Sequence, residues 1–221
     1  MKSNKQIELL AHVGSDNSIA NTARVSMEIG GEWDDLPKDY SEEQRDKLLN
    51  YLAKHQHTSP FRHNSITIRC HVPIFLARQL GKHQVGMSWN EVSRRYVDEQ
   101  PEFYFPDEWR SKPDGSIKQG SGDVHYDNTF WQNDYADLIG YCQETYDRML
   151  EDGIAPEMAR MVLPQSMMTE FVWTGSLMAF AHVYRLRADN HAQVEAQEFA
   201  KELDEIISPL FPCAWSVLKG N

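Results

Sequence analysis

From Ser65 to Val72 the chain alternates cleanly, with Ile66, Ile68, Cys70 and Val72 on one face and Thr67, Arg69 and His71 on the other. A period of two held over this length reads as a strand with one dry face. Pro73 follows at once. Its fixed φ suits the first turn of a helix, so the strand should hand over directly to IFLARQLGKH (74–83).

Other segments fill in around this strand–helix unit. IELLAHV (7–13) reads as a strand, ANTARVS (20–26) as a small-residue segment with one arginine, and residues 30–40 as loop. Ser41 opens a helix through a capping box with Gln44, and Leu48, Leu49 and Leu52 form its apolar face. HQHTSPFRH (55–63) breaks that helix. EFYFP (102–106) reads as a short aromatic strand, and Ser111 to Asp123 as a polar insertion with the character of a solvated loop. A helical stripe runs from Thr129 to Asp152 and closes at Gly153. Pro156 begins a helix that Pro164 ends, Thr169 to Trp173 is strand-like, and SLMAFAHVYRLR is helical. Asp189 or Asn190 should cap the long helix HAQVEAQEFAKELDEII, and SPLFPCAWSVLKG adds a short helical tail. Strands are few and do not alternate regularly with helices. The expected fold is therefore α+β, a mixed, mostly antiparallel sheet with a helix-rich C-terminal half, in a single domain over residues 1–221.

The helix after Pro73 carries the start of the chain's most polar constellation, RQLGKHQVGMSWNEVSRRY (78–96). Arg78, Lys82, Arg94 and Arg95 are interleaved with His83, Glu91, Gln79, Gln84, Ser88, Asn90 and Ser93. Cations beside amides and hydroxyls are what a phosphate or the polar edge of a base requires. The net charge of −11 argues against a general nucleic-acid binder, so this cluster reads as a local anion site. The helix should leave its axis near Gly86.

Common engines are absent: no GxGxxG after a strand, no GxxxxGK[ST], no HExxH and no GxSxG. The cysteines, Cys70, Cys142 and Cys213, are odd in number and lack CxxC spacing, which argues against a disulfide framework or a cysteine zinc site. With no signal-peptide pattern and no apolar run that could span a bilayer, the expectation is a reduced, cytoplasmic protein with no membrane partner. His55, His57, His63 and His71 cluster, yet no carboxylate stands at metal-ligand spacing, and hydrogen-bonded or exposed histidines are preferred to a metal site. Cys213 lies in an apolar tail without a nearby base and reads as structural, and neither Ser88 nor Ser93 has a visible activating base. Arg185 and Arg187 point to different faces of their helix, so at most one shares a site; Arg185 suits the helix C-terminus. For Arg187 and Arg160 the residues alone leave a site and a surface charge equally open.

Four separated motifs resemble those of flavin-dependent thymidylate synthases, over a span from Ala23-Arg24-Val25-Ser26 to the C-terminal tail. They are His57-x-x-Pro60-Phe61-x-His63, Arg78-Gln79 through Ser88-x-Asn90-Glu91-x-Ser93-x-Arg95-Tyr96, Arg160-x-x-Leu163-Pro164, and Leu186-Arg187-x-Asp189-x-His191-Ala192-Gln193. Against the family's Arg-His-Arg triplet the chain has Lys82-His83-Gln84, and the eight residues from Val85 to Val92 before Ser93 are one more than the pattern. A bulge at the end of the Pro73 helix is the expected accommodation. Arg62 stands where an acidic residue is usual, and Ser176, Met178 and His182 stand where Asn, Arg and Asn are common.

The resemblance implies methylation of dUMP at C5, with 5,10-methylenetetrahydrofolate as co-substrate, FAD as cofactor and NADPH as reductant. It implies no cysteine nucleophile, and a homotetramer of α+β subunits with sites shared between chains. By the same resemblance Arg187 is the catalytic residue, favouring ionisation of uracil N3. The dUMP-binding candidates are Gln79, Lys82, Glu91, Ser93, Arg94, Arg95, Arg160 and Arg187. Those for FAD are Ser59, Lys82, His83, Gln84, Glu91, Ser176 and His182, and no metal is implied. A non-catalytic flavin- or nucleotide-binding relative, supported by the altered triplet, and a histidine-cluster metal hydrolase are the alternatives.

Overall fold

The computed structural model describes residues 6–25, 32–96, 100–113 and 120–220, so Ser26, Gly30, Gly31 and residues 114–119 of the insertion lie outside the described residues. Among the described residues four strands, β1 (Ile7–Val13), β2 (Ser65–Pro73), β3 (Met87–Glu91) and β4 (Met168–Gly175), form one sheet in the order β1-β2-β4-β3. Eight helices among those residues surround it: α1 (Asp16–Arg24), α2 (Glu42–Lys54), α3 (Ile74–Leu80), α4 (Asn128–Glu151), α5 (Pro156–Ala159), α6 (Leu177–Arg187), α7 (Val194–Ile207) and α8 (Pro212–Lys219). The α+β class stands.

All pairings among the described strands are antiparallel, so the expected mixed sheet is corrected. The reason lies in α3. It carries the chain from β2 back into β3 in the same direction, but one strand-width away. β4 fills that gap running the other way, with Ile68 opposite Trp173 and Trp173 opposite Trp89.

The period-two reading of β2 holds residue by residue: Ile66, Ile68, Cys70 and Val72 are fully buried. With Phe171 and Trp173 of β4 they meet Leu177, Phe180 and Val183 of α6, Phe199 and Leu203 of α7, and Trp215 of α8. Each such side chain stabilises the fold by roughly 1.5–3 kcal/mol through burial. The opposite face is polar. There Arg69 lies 3.0 Å from Glu8 and 3.6 Å from Glu170, and Thr67 shares a 3.0 Å hydrogen bond with Thr174.

The capping box at Ser41 and Gln44 forms as expected, and Leu49 and Leu52 are buried beneath it. Three expectations need correction. EFYFP is not a strand: only Phe103 makes an isolated bridge, to Met167, because the segment leans on the turn before β4 through Tyr104 N–H to Ser166 O (2.9 Å). The helix after Pro73 stops at Leu80, not near Gly86, with Gly81 N–H closing on Ala77 O. Helix α7 is preceded by Gln193 rather than capped by Asp189 or Asn190; the Asp189 carboxylate instead accepts His191 N–H at 2.8 Å in the turn before.

After Leu80 the chain makes a turn, closed by Met87 N–H to Gln84 O (3.2 Å), and then enters β3. Gly86 has φ +72, the left-handed region that favours glycine. A Cβ there would lie 3.6 Å from Ala179 Cβ, an ordinary contact, so any substitution would be strained by backbone conformation rather than by space.

Candidate active site

The turn after α3 and the last turn of α6 meet at Arg187. Its Nε–H donates to His83 Nε2 (3.2 Å), and an Nη2–H donates to the Gln79 carbonyl (3.0 Å). That carbonyl lies at a helix C-terminus, where it also accepts Lys82 N–H (3.4 Å) and where negative potential favours a cation. Burial lowers the Arg187 pKa from its ordinary value, and burial, then Arg187, then His182 push His83 down to about 4. His83 is therefore neutral near pH 7. Since its Nε2 accepts, the proton must sit on Nδ1.

His83 also borders a cleft of about 580 Å³ lined with Lys82, Gln84, Arg78, Glu91 and Trp89. A larger cleft of about 1330 Å³ shares Arg78 and Glu91 with it, and its wall includes Arg94, Arg160, Arg69 and Glu170. Arg78 and Glu91 thus face both. Glu91 is held between them by Thr169 Oγ1–H (2.8 Å) and Trp89 Nε1–H (3.2 Å). The Trp89 ring stacks on Phe171, with centroids 3.4 Å apart. The end of β3 is thereby fastened to the core.

The candidate residues fall into distinct groups. Lys82, His83, Gln84 and Glu91 share the smaller cleft, and Glu91, Arg94 and Arg160 share the larger. Gln79 and Arg187 join the first group through His83. Ser93 and Arg95 stand outside both clefts, where Arg95 Nε–H donates to Ser93 Oγ (3.2 Å) and the guanidinium lies 5.1 Å from the Tyr96 ring. Arg160 is exposed and donates to Glu157 O at 3.3 Å. Ser176 caps α6, accepting Ala179 N–H at 3.3 Å. His182 is exposed on α6, its pKa lowered by burial, then by Arg185 and Arg62. Ser59 is exposed at the start of a short 3-10 turn; Asn64, which follows that turn, accepts Leu177 N–H at 2.6 Å and ties it to the start of α6.

Sequence reasoning left four contributors off the site. Arg78 sits in the basic stretch and Gln193 closes the fourth motif, and those were their signals. Trp89 and Thr169 gave none, because both act through Glu91, and Thr169 does so from a strand distant in sequence.

The donor chemistry of the smaller cleft suits an anionic, phosphate-bearing cofactor. Lys82 and Arg78 supply charge, the Gln84 amide supplies directed donors, and the left-handed Gly86 keeps the turn free of a side chain. The histidines and two of the cysteines have other surroundings. His55 and His57 pack on Tyr51, with centroids 4.3 and 6.0 Å away, and His71 Nε2 lies 3.5 Å from Glu102. Among the described residues no three His, Cys, Asp or Glu side chains group to hold a metal. Burial, then Asp46 and Asp16, push the Cys213 thiol up to about 12, and burial pushes Cys70 up further. Neither thiol is activated.

Residues 8–213 match the family model described as "Thymidylate synthase complementing protein". The chain is 35% identical over 222 residues to the flavin-dependent thymidylate synthase of Thermosipho melanesiensis, covering 97% of this chain and 91% of that protein. It is 37% identical over 212 residues to that of Kosmotoga olearia, covering 95% and 87%. Among solved structures it is similar to PolB from Streptomyces cacaoi, a UMP/dUMP methylase bound with 5-Br dUMP. There the TM-score is 0.84 and the identity 30%, covering 96% of this chain and 93% of that one.

Proposed function

The chain belongs to the flavin-dependent thymidylate synthase family, and on that premise we propose that it methylates dUMP at C5 to give dTMP. The family uses FAD, with 5,10-methylenetetrahydrofolate as methyl donor and NADPH as reductant. The observation that carries this reading is Arg187, held by His83 and by the end of α3 beside a cationic cleft.

Uracil C5 is a poor nucleophile until negative charge accumulates on the ring. A fixed guanidinium at the N3–C4 edge favours the N3 anion, and in a partly desolvated site that charge is stabilised far better than in water. Arg187 is given this role. Arg94, Arg95, Arg160, Lys82 and Ser93 hold phosphate and sugar, with Gln79 and Glu91 orienting the nucleotide. Lys82, Gln84 and Glu91 hold FAD from the smaller cleft, His83 borders it, and Ser176 and His182 of α6, with Ser59 of the 3-10 turn, contribute further contacts. FAD supplies the redox chemistry, and this chain's residues bind, orient and stabilise charge. No cysteine nucleophile takes part, which the raised pKa of Cys213 supports.

Both clefts are open, and Val85, Tyr96 and Met161, next to or within the basic stretch and the Arg160 turn, are exposed apolar residues. These leave room for a subunit contact, and the homotetramer, built from one domain per chain with neighbouring subunits completing each site, rests on the family resemblance. A cytoplasmic location fits this biosynthetic role.

The test is a visible absorbance spectrum of the purified protein, then bleaching by NADPH with and without dUMP, then dTMP formation. UMP is run beside dUMP because the structural relative is a UMP/dUMP methylase. A flavin spectrum that NADPH bleaches and dTMP from dUMP are expected. A colourless protein that takes up no added FAD would overturn the reading.

A further inference from the structure

We propose that His83 and Gln193 are positioning residues that together aim the Arg187 guanidinium, one as its direct acceptor and the other by locking the helix end that holds it. Their roles rest on the proposed synthase function. The geometry does not.

Arg187 lies where three element ends converge: the C-termini of α3 and α6 and the N-terminus of α7. Among the described residues two of its five N–H donors are engaged, by His83 Nε2 and Gln79 O, and both acceptors belong to the end of α3 and the turn after it. Two-point attachment fixes the plane of a guanidinium, whereas one point leaves it free to rotate. The Gln79 side chain is not idle either, because its Nε2–H donates to Gln193 Oε1 at the start of α7. Two residues on, Glu195 is buried to 5% exposure and anchored by Arg110 and by Tyr104 OH (3.3 Å). Gln193 therefore ties α3 to the start of α7, which those buried contacts anchor. The family resemblance assigns His83 to the flavin, but in the structure its Nε2 is turned to Arg187.

This arrangement works only while His83 is neutral. A protonated imidazole would offer an N–H to a guanidinium that has only donors. Of the charged and titratable groups around it, Arg187 and His182 oppose that protonation and Arg62 and Arg185 act likewise on His182; Arg78 and Lys82 line the same cleft, and Glu91 is the one carboxylate among its lining residues.

The test compares His83→Phe, His83→Gln and Gln193→Met with the parent, all flavin-loaded. Gln places an amide oxygen near the former Nε2, and Phe keeps the ring without an acceptor. His83→Phe should lower kcat by about 10–100-fold, as expected when a reacting group loses its orientation, with flavin content and KM for dUMP little changed. His83→Gln should recover most of that loss, and Gln193→Met should lower kcat by about 5–10-fold. Flavin lost in proportion to activity, His83→Gln no better than His83→Phe, or Gln193→Met equal to the parent would each overturn the proposal. Nitrogen-15 NMR of the parent's histidine rings supplies a readout independent of turnover. His83 should stay neutral with its proton on Nδ1 down to about pH 5. A ring that titrates near its ordinary value, or carries its proton on Nε2, overturns the proposal even if the parent makes dTMP. If the parent makes none, the function fails while the NMR result still decides the geometry.

Discussion

Thr169, buried on β4, donates its hydroxyl to the Glu91 carboxylate at 2.8 Å across the strand pair, although 78 residues separate the two. Glu91 is exposed, on both clefts, and would otherwise choose among rotamers. Thr169→Val keeps the shape and removes the donor. The expected result is a rise of about 5–10-fold in KM for dUMP, equivalent to about 1–1.4 kcal/mol, the net worth of an ordinary hydrogen bond at an exposed carboxylate, with the fold intact. Steady-state kinetics beside a thermal melt check it.

Arg187→Ala should lower kcat for dTMP formation by about 10²–10³-fold, the loss typical of a preorganised charge stabiliser, while flavin content stays near that of the parent. Arg187→Lys keeps the charge but cannot reach His83 and Gln79 with a planar fork, so only a small part of the rate should return. Flavin absorbance per chain, measured with turnover, separates a catalytic arginine from a structural one.

His83 titrates near 6.5 when unfolded and near 4 when folded. Because the folded value is depressed, the unfolded state binds the proton more readily between those pH values. The contribution of this group to stability is therefore whole above about pH 6.5, falls as pH drops toward 4, and changes no further below that. The Tm of the parent should decline across this window more steeply than that of His83→Gln, which has nothing to protonate there. Parallel melts at pH 7.0 and 4.5 measure the difference.

Asp16 joins the two ends of the chain. Its carboxylate accepts the backbone N–H of Cys213 (2.8 Å) and Ala214 (3.0 Å), so a residue of α1 caps α8. Asp16 is only 4% exposed; burial raises its pKa, against the lowering effect of those two hydrogen bonds. Asp16→Ala should destabilise the fold by about 2–3 kcal/mol, through two orphaned N–H groups and a lost cap. Asp16→Asn, which keeps one acceptor oxygen, should cost less. Denaturant unfolding gives both values.

Local patterning alone was enough for the β2 strand, the Ser41 cap and the start of α3 after Pro73, because period, capping chemistry and proline geometry are properties of neighbouring residues. The basic stretch could be read as an anion site for the same reason, and four spaced motifs sufficed to suggest the family. β3 could not be read: Ser88, Asn90 and Glu91 are polar and exposed, and they become a strand only because β4 offers them a ladder. The placing of β4 between β2 and β3, antiparallel to both, was equally a matter of tertiary structure, since β4 had to fill the gap left by α3. So was the partner of Arg187. Charge and motif mark that residue in the sequence, but His83 is 104 positions away, and no local rule relates the end of α6 to the turn after α3. Only packing of both against the same core brings an acceptor to its Nε–H and turns a surface cation into an aimed one.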